Sequence, residues 1–140
     1  MTRLPPRPRV LLADDHTRLR EALRDLLEET GFEVVGESGD GADAVAMARQ
    51  LEPDIVVIDL RMPVLNGLDA TRLIKDARPA TQVVVLSAFE SPELERQARE
   101  AGAFAYLDKG TMARRVRRVL LGAAVQAVLA GTSVQAPDAS

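Results

Sequence analysis

The sequence predicts an α/β protein of five successive βα units, (βα)5, folded as one doubly wound, parallel five-stranded sheet. Two observations carry this. The hydrophobic period switches repeatedly between short apolar runs of strand length and longer stretches with helical spacing. The strand runs are mostly rich in Val, Ile and Leu and lack strict in/out alternation, the pattern of strands covered on both faces. Such alternation implies right-handed crossovers with helices on both sides of the sheet.

The first strand is RVLLAD (9–14), preceded by the basic, proline-rich MTRLPPRPR, which makes 1–8 a flexible tail. Leu19, Leu23, Leu26 and Leu27 then recur at helical spacing until Gly31 closes the first helix. EVVGES (33–38) is the second strand, and Ala42, Val45, Ala48 and Leu51 form a helix ended by Pro53. GESGDG (36–41) superficially looks like a phosphate loop, but it follows the second strand and lacks the lysine, so it reads as a turn. DIVVID (54–59) is the third strand. Met62 and Pro63 stop it, and Asn66-Gly67 allows the turn into a helix with Leu68, Ile74 and Ala77, which ends before Pro79. QVVVLS (82–87) is the fourth strand; its helix starts at Ser91, with Pro92 in the first turn, and ends near Gly102. FAYLD (104–108) is the fifth strand, and the last helix runs from about 111 to 130. One domain thus covers 9–130, and 131–140 is a polar tail or the start of a linker.

Composition narrows the function by exclusion. With 46% hydrophobic and 28% charged residues and a net charge of −3, the chain is neither disordered nor a strongly basic nucleic-acid binder. It has no cysteine, hence no disulfide, thiolate metal site or cysteine nucleophile. No secretory signal and no membrane-length apolar run occur, so a cytoplasmic protein that does not engage the membrane is expected.

In a parallel sheet of this kind ligands sit beyond the carboxyl ends of the strands, so the residues ending each strand are the candidates. They are Asp14 and Asp15, then Asp59, Ser87, and Asp108 with Lys109; the second strand offers only Ser38. Three carboxylates brought together at Asp14, Asp15 and Asp59 raise one another's pKa, a conflict that a hard cation resolves. Mg²⁺ takes oxygen ligands and commonly combines one or two carboxylates with phosphate oxygens. With no histidine or cysteine ligands expected, zinc is disfavoured. Lys109 then supplies a point charge and Ser87 a hydroxyl for an anion beside the metal, and a phosphoryl group fits.

The motifs ADD (13–15), DLRMPVLNG (59–67), LSA (86–88) and YLDK (106–109) stand in order at the ends of the expected strands. Over roughly 9–130 the chain resembles the receiver domains of two-component response regulators. That resemblance implies a flavodoxin-like strand order 2-1-3-4-5, with Asp59 taking a phosphoryl group from a phosphohistidine on a sensor histidine kinase. It also implies that Asp15, Asp59 and the backbone carbonyl of Arg61 bind Mg²⁺, with Asp14 acting indirectly. By the same resemblance Lys109 and Ser87 would contact the phosphoryl group, and Tyr106 would turn inward as Ser87 moves toward it. DDH (14–16), Gly110 after Lys109, and LLGAAVQAVLAG resemble the subfamily with LuxR-type helix-turn-helix outputs, in which DNA is bound only by an output domain beyond the fifth helix. The chain is then either a stand-alone receiver acting through protein contacts or one cut at the linker, and the tail reads as a linker.

Two positions depart from the family pattern. Gly110 replaces the usual proline, which puts the pre-organisation of the Lys109 loop in question, and Ser87 replaces the commoner threonine. His16 reads as a solvated residue at the start of the first helix and not as a metal ligand. Arg114, Arg115, Arg117 and Arg118 read as a solvated face paired with acidic neighbours. From 119 to 130 the last helix is apolar nearly all round, so its end should pack on a second copy or on an output domain. Three other functions are disfavoured. An aspartyl phosphatase needs a second Asp where Arg61 stands. A nucleotide or flavin domain would not place Asp14-Asp15 at its phosphate loop. A pseudo-receiver would have lost Asp59, the acid pair or Lys109.

Overall fold

The structure, a computed structural model, describes residues 7–135; the outer parts of the two expected tails, 1–6 and 136–140, lie outside it. The elements are β1 Arg9–Ala13, α1 Thr17–Glu29, β2 Glu33–Ser38, α2 Gly41–Leu51, β3 Ile55–Asp59, α3 Gly67–Ala77, β4 Gln82–Ser87, α4 Pro92–Glu100, β5 Ala105–Asp108 and α5 Met112–Gln135. All five strands are parallel in the order β2-β1-β3-β4-β5.

The continuous apolar runs are explained by burial on both faces. Leu11, Val56, Ile58 and Val85 point to the side covered by α2, α3 and α4, while Val10, Leu12, Ile55 and Val57 point to the side of Leu23, Leu27, Val116 and Leu120. Each strand therefore feeds two cores with a period of two, and no polar face is left to alternate. β2 is the exception. It lies at the sheet edge, only Ser38 in it is fully buried, and the expected cover on both faces is not realised there.

Helix starts follow local chemistry. Asp40, Asn66 and Ser91 accept the backbone N–H of Asp43, Asp69 and Leu94, and Asp108 accepts both the N–H and the hydroxyl of Thr111 ahead of α5. Two boundaries differ from expectation. The Pro8 carbonyl accepts the Glu33 N–H, which ties the end of the expected tail to β2. α5 continues to Gln135, past the expected end near 130, although Gly131, Thr132, Ser133 and Val134 are poor helix formers; no proline interrupts the chain before Pro137.

Candidate functional site

The sheet register delivers the strand-end residues to one edge. Asp59 closes the central β3 and is 3% exposed; Asp14, one residue past β1, is 1% exposed, and Asp15 beyond it faces solvent. Lys109 follows β5, where its N–H donates to the Ser87 carbonyl at 2.7 Å and fixes the backbone, so the loop is tethered although Gly110 stands in place of proline. Its side chain, 19% exposed, sets Nζ 3.1 Å from Asp14 Oδ2 and 3.3 Å from Asp59 Oδ2. One ammonium thus compensates two buried carboxylates.

The compensation is incomplete. Nζ is close to Asp14 Oδ2 but not aligned for a hydrogen bond, and this buried oxygen has no hydrogen-bond partner among the described residues. Burial, and next the Asp14 charge, push the Asp59 carboxyl above the ordinary aspartate range, while Lys109 and the Arg61 N–H pull it back. Carboxylate oxygens of Asp14, Asp15 and Asp59, together with a His16 nitrogen, lie within 4.8 Å of one another. A dense acidic cluster in which one buried carboxylate oxygen makes no hydrogen bond has the donor chemistry of a hard-cation site, and the residues fit Mg²⁺.

His16 is solvated at the entry to α1, as expected, but lies against the acid pair. It precedes α1 and is 67% exposed in its side chain, yet Nδ1 lies 3.0 Å from Asp14 Oδ1 and 3.2 Å from Asp15 Oδ1. The Ser87 hydroxyl accepts the Phe89 N–H at 3.1 Å, and no described residue accepts its proton. Tyr106 is buried, and its hydroxyl donates to the Phe89 carbonyl at 2.5 Å; the ring is thus already inward. The Arg61 guanidinium lies 5.4 Å from the centre of the Phe89 ring, so the side chain caps an aromatic while its peptide N–H serves Asp59.

The loop after β3 is shaped by contact. Gly67 donates to the Leu60 carbonyl at 2.8 Å, and a Cβ on Gly67 would stand 2.4 Å from the Asp59 carbonyl oxygen. The glycine expected to permit a turn is required instead by this close approach. Val64, exposed on the same loop, takes a positive φ of 71°, which a β-branched residue rarely adopts. The sequence reading also missed Phe89, Arg20 and Glu37. Arg20 and Glu37 lie beside the Asp14 backbone, joined by a contact between positions 17 apart. The four arginines of α5 are exposed, but the expected acidic partners are not found among the described residues. Among the described residues no helix is long and apolar enough to cross a membrane.

Comparison with known proteins agrees with this geometry. The family model of the response regulator receiver domain matches residues 10–120. The transcriptional regulatory protein PdtaR of Mycobacterium tuberculosis is 46% identical over 101 residues, which is 72% of this chain and 49% of that protein. The chemotaxis protein CheY of Thermotoga maritima is 37% identical over 112 residues, 80% of this chain and 93% of that one. The signal receiver domain of the putative response regulator NarL from Mycobacterium tuberculosis superimposes with a TM-score of 0.78 at 32% identity, covering 85% of this chain and 98% of that domain. The chain spans about half the length of the first transcriptional regulators it matches. With the family model matched over residues 10–120 and its order of strands, the chain belongs to the response regulator receiver domain family.

Proposed function

We propose that this receiver takes a phosphoryl group from a sensor histidine kinase onto Asp59 and changes conformation to control an output. The observation that carries the reading is the single ammonium of Lys109 between the buried carboxylates of Asp14 and Asp59. A buried carboxylate held beside a fixed cation is placed to act as nucleophile toward an anionic donor whose charge would otherwise repel it. An oxygen of Asp59 attacks phosphorus in line as the P–N bond to the kinase histidine breaks. The bonding pair leaves on the imidazole, which takes up a proton. Asp15, Asp59 and the Arg61 carbonyl would hold Mg²⁺, with Asp14 acting indirectly, and when bound it supplies positive charge to the phosphoryl oxygens. Lys109 neutralises a phosphoryl oxygen, and the free proton of Ser87 donates to another. Because Ser87 accepts from Phe89, whose carbonyl takes the Tyr106 hydroxyl, movement of Ser87 is felt at the surface of α4, β5 and α5.

On this reading the chain is cytoplasmic and catalyses only its own phosphorylation and dephosphorylation. Transcription would be controlled through a DNA-binding domain of the LuxR type, consistent with regulators about twice this length among its relatives. The stand-alone alternative is supported by the match to CheY over nearly that protein's whole length. A second copy is the proposed partner for the exposed Leu121, Val125, Val128 and Leu129 of α5. Intact-mass measurement after incubation with acetyl phosphate and Mg²⁺ tests the function. One added phosphoryl group is expected, and an unmodified wild type would overturn it.

A further inference from the structure

Arg20 stands at the end of the first turn of α1, a place where positive charge works against the helix dipole and where that turn carries no acidic residue. Its side chain is only 18% exposed and its contacts point away from helix stability. Nε pairs with Glu37 Oε1 of β2 at 3.0 Å, and Nη1 donates to the backbone carbonyl of Asp14 at 2.5 Å. The Asp14 N–H in turn donates to the Ser38 carbonyl at 3.0 Å. Both polar groups of the Asp14 backbone are therefore held, one by β2 itself and one by a side chain anchored on β2.

We infer that Arg20, braced by Glu37, is a positioning residue that fixes the Asp14-Asp15 peptide plane and so sets both carboxylates for a cation. The carbonyl of Asp14 and the N–H of Asp15 belong to one rigid plane, so a bond that fixes the carbonyl fixes the direction in which the chain leaves toward Asp15. Left to themselves, neighbouring like charges at Asp14, Asp15 and Asp59 separate; a clamp on the backbone resists this without occupying a carboxylate oxygen. The guanidinium serves Glu37 through Nε and the Asp14 carbonyl through Nη1 along two fixed, diverging directions, a geometry that the single nitrogen of an ammonium does not reproduce. Arg24 provides an internal comparison. It also pairs with Glu37, at 2.8 Å from Oε2, but none of its recorded contacts is with Asp14.

This inference rests on the reading of the acidic cluster as a Mg²⁺ site, and the experiment separates the two. Mg²⁺ alone is titrated calorimetrically into wild type, Arg20→Ala, Arg20→Lys and Arg24→Ala, each checked for folding by circular dichroism. Arg20→Ala is expected to weaken Mg²⁺ binding about tenfold or more, the usual effect of losing a partner behind a ligand. Arg20→Lys keeps the charge and the stem, should fold, and is expected to restore little of the affinity. Arg24→Ala should bind as wild type does. In acetyl phosphate labelling, Arg20→Ala should need more Mg²⁺ for half-maximal rate yet approach the wild-type plateau. Wild-type affinity in both Arg20 variants, or an equal loss in Arg24→Ala, would overturn the clamp while leaving the site intact. A wild type that binds no Mg²⁺ would overturn the site and the clamp with it.

Discussion

Replacing Gly67 with alanine would drive a methyl group into the backbone that carries the phosphoacceptor. The added Cβ would lie 2.4 Å from the Asp59 carbonyl oxygen, 2.9 Å from Leu60 Cα and 3.1 Å from Asp59 C. All three atoms are main chain, so no side chain can swing aside. Restoring a tolerable contact near 3.0 Å needs a shift of about 0.6 Å, either in α3 or in the end of β3, the strand paired on both sides at the sheet centre. Overpacking of this kind costs about 1–3 kcal/mol. Alanine recovers about 0.4–1 kcal/mol by stiffening the unfolded chain, leaving a net loss of about 1–2 kcal/mol. Thermal denaturation followed by circular dichroism should then show Tm lower by about 3–8 °C. Because the displaced carbonyl belongs to Asp59, reactivity should fall as well. A misplacement of about 1 Å can cost a hundredfold, so roughly tenfold slower labelling by acetyl phosphate is expected. Gly131→Ala is the control, since a Cβ there meets nothing within 4 Å and α5 gains about 1 kcal/mol of helix propensity. Wild-type Tm and labelling rate in Gly67→Ala would refute the claim that close approach dictates this glycine.

Three other expectations follow from the same geometry. The Asp59 carboxyl is raised by burial and by Asp14, so the folded state holds its proton more tightly than the unfolded chain does and loses stability as pH rises through the folded pKa. Without Mg²⁺, Asp59→Asn should melt above wild type at neutral pH, and the gap should close below the unfolded aspartate pKa; a gap independent of pH would contradict this. Tyr106→Phe removes the hydroxyl bond to the Phe89 carbonyl and should lower stability by about 1 kcal/mol in denaturant titrations, whereas an unchanged midpoint would mean the bond contributes nothing net. Val125→Lys places a charge in the exposed apolar stretch of α5 and should abolish self-association of the wild type in light scattering. A wild type that stays monomeric at high concentration, with and without a phosphoryl mimic, would remove the homodimer.

The fold was legible because its signals are local and repeated. Runs such as IVVID and QVVVL declare strands buried on both faces, and Asp40, Asn66 and Ser91 declare the helix starts without reference to the rest of the chain. The meeting of Asp14, Asp59 and Lys109 was legible once the strands were known to be parallel, since topology alone brings strand ends to one edge. What stayed hidden depends on register or on side-chain direction. Arg20 meets Asp14 and Glu37 only because β2 runs beside β1 with Leu12 opposite Glu37. Phe89 matters through its backbone N–H and carbonyl, which residue type does not reveal. Gly67 could be read as a turn residue, but its contact with the Asp59 carbonyl exists only after α3 has folded back on β3. His16 looked solvated and is exposed, yet its ring leans on the acid pair across a turn that periodicity cannot place.

The central claim is that Asp59, and no other carboxylate of the cluster, forms the acyl phosphate. Borohydride reduction of protein treated with acetyl phosphate and Mg²⁺, followed by peptide sequencing, reads the position directly, because reduction converts an acyl phosphate to an alcohol and spares a free carboxylate. Conversion of Asp59 alone is expected, and none in Asp59→Asn. Conversion at Asp14 or Asp15, or undiminished labelling of Asp59→Asn, would contradict it.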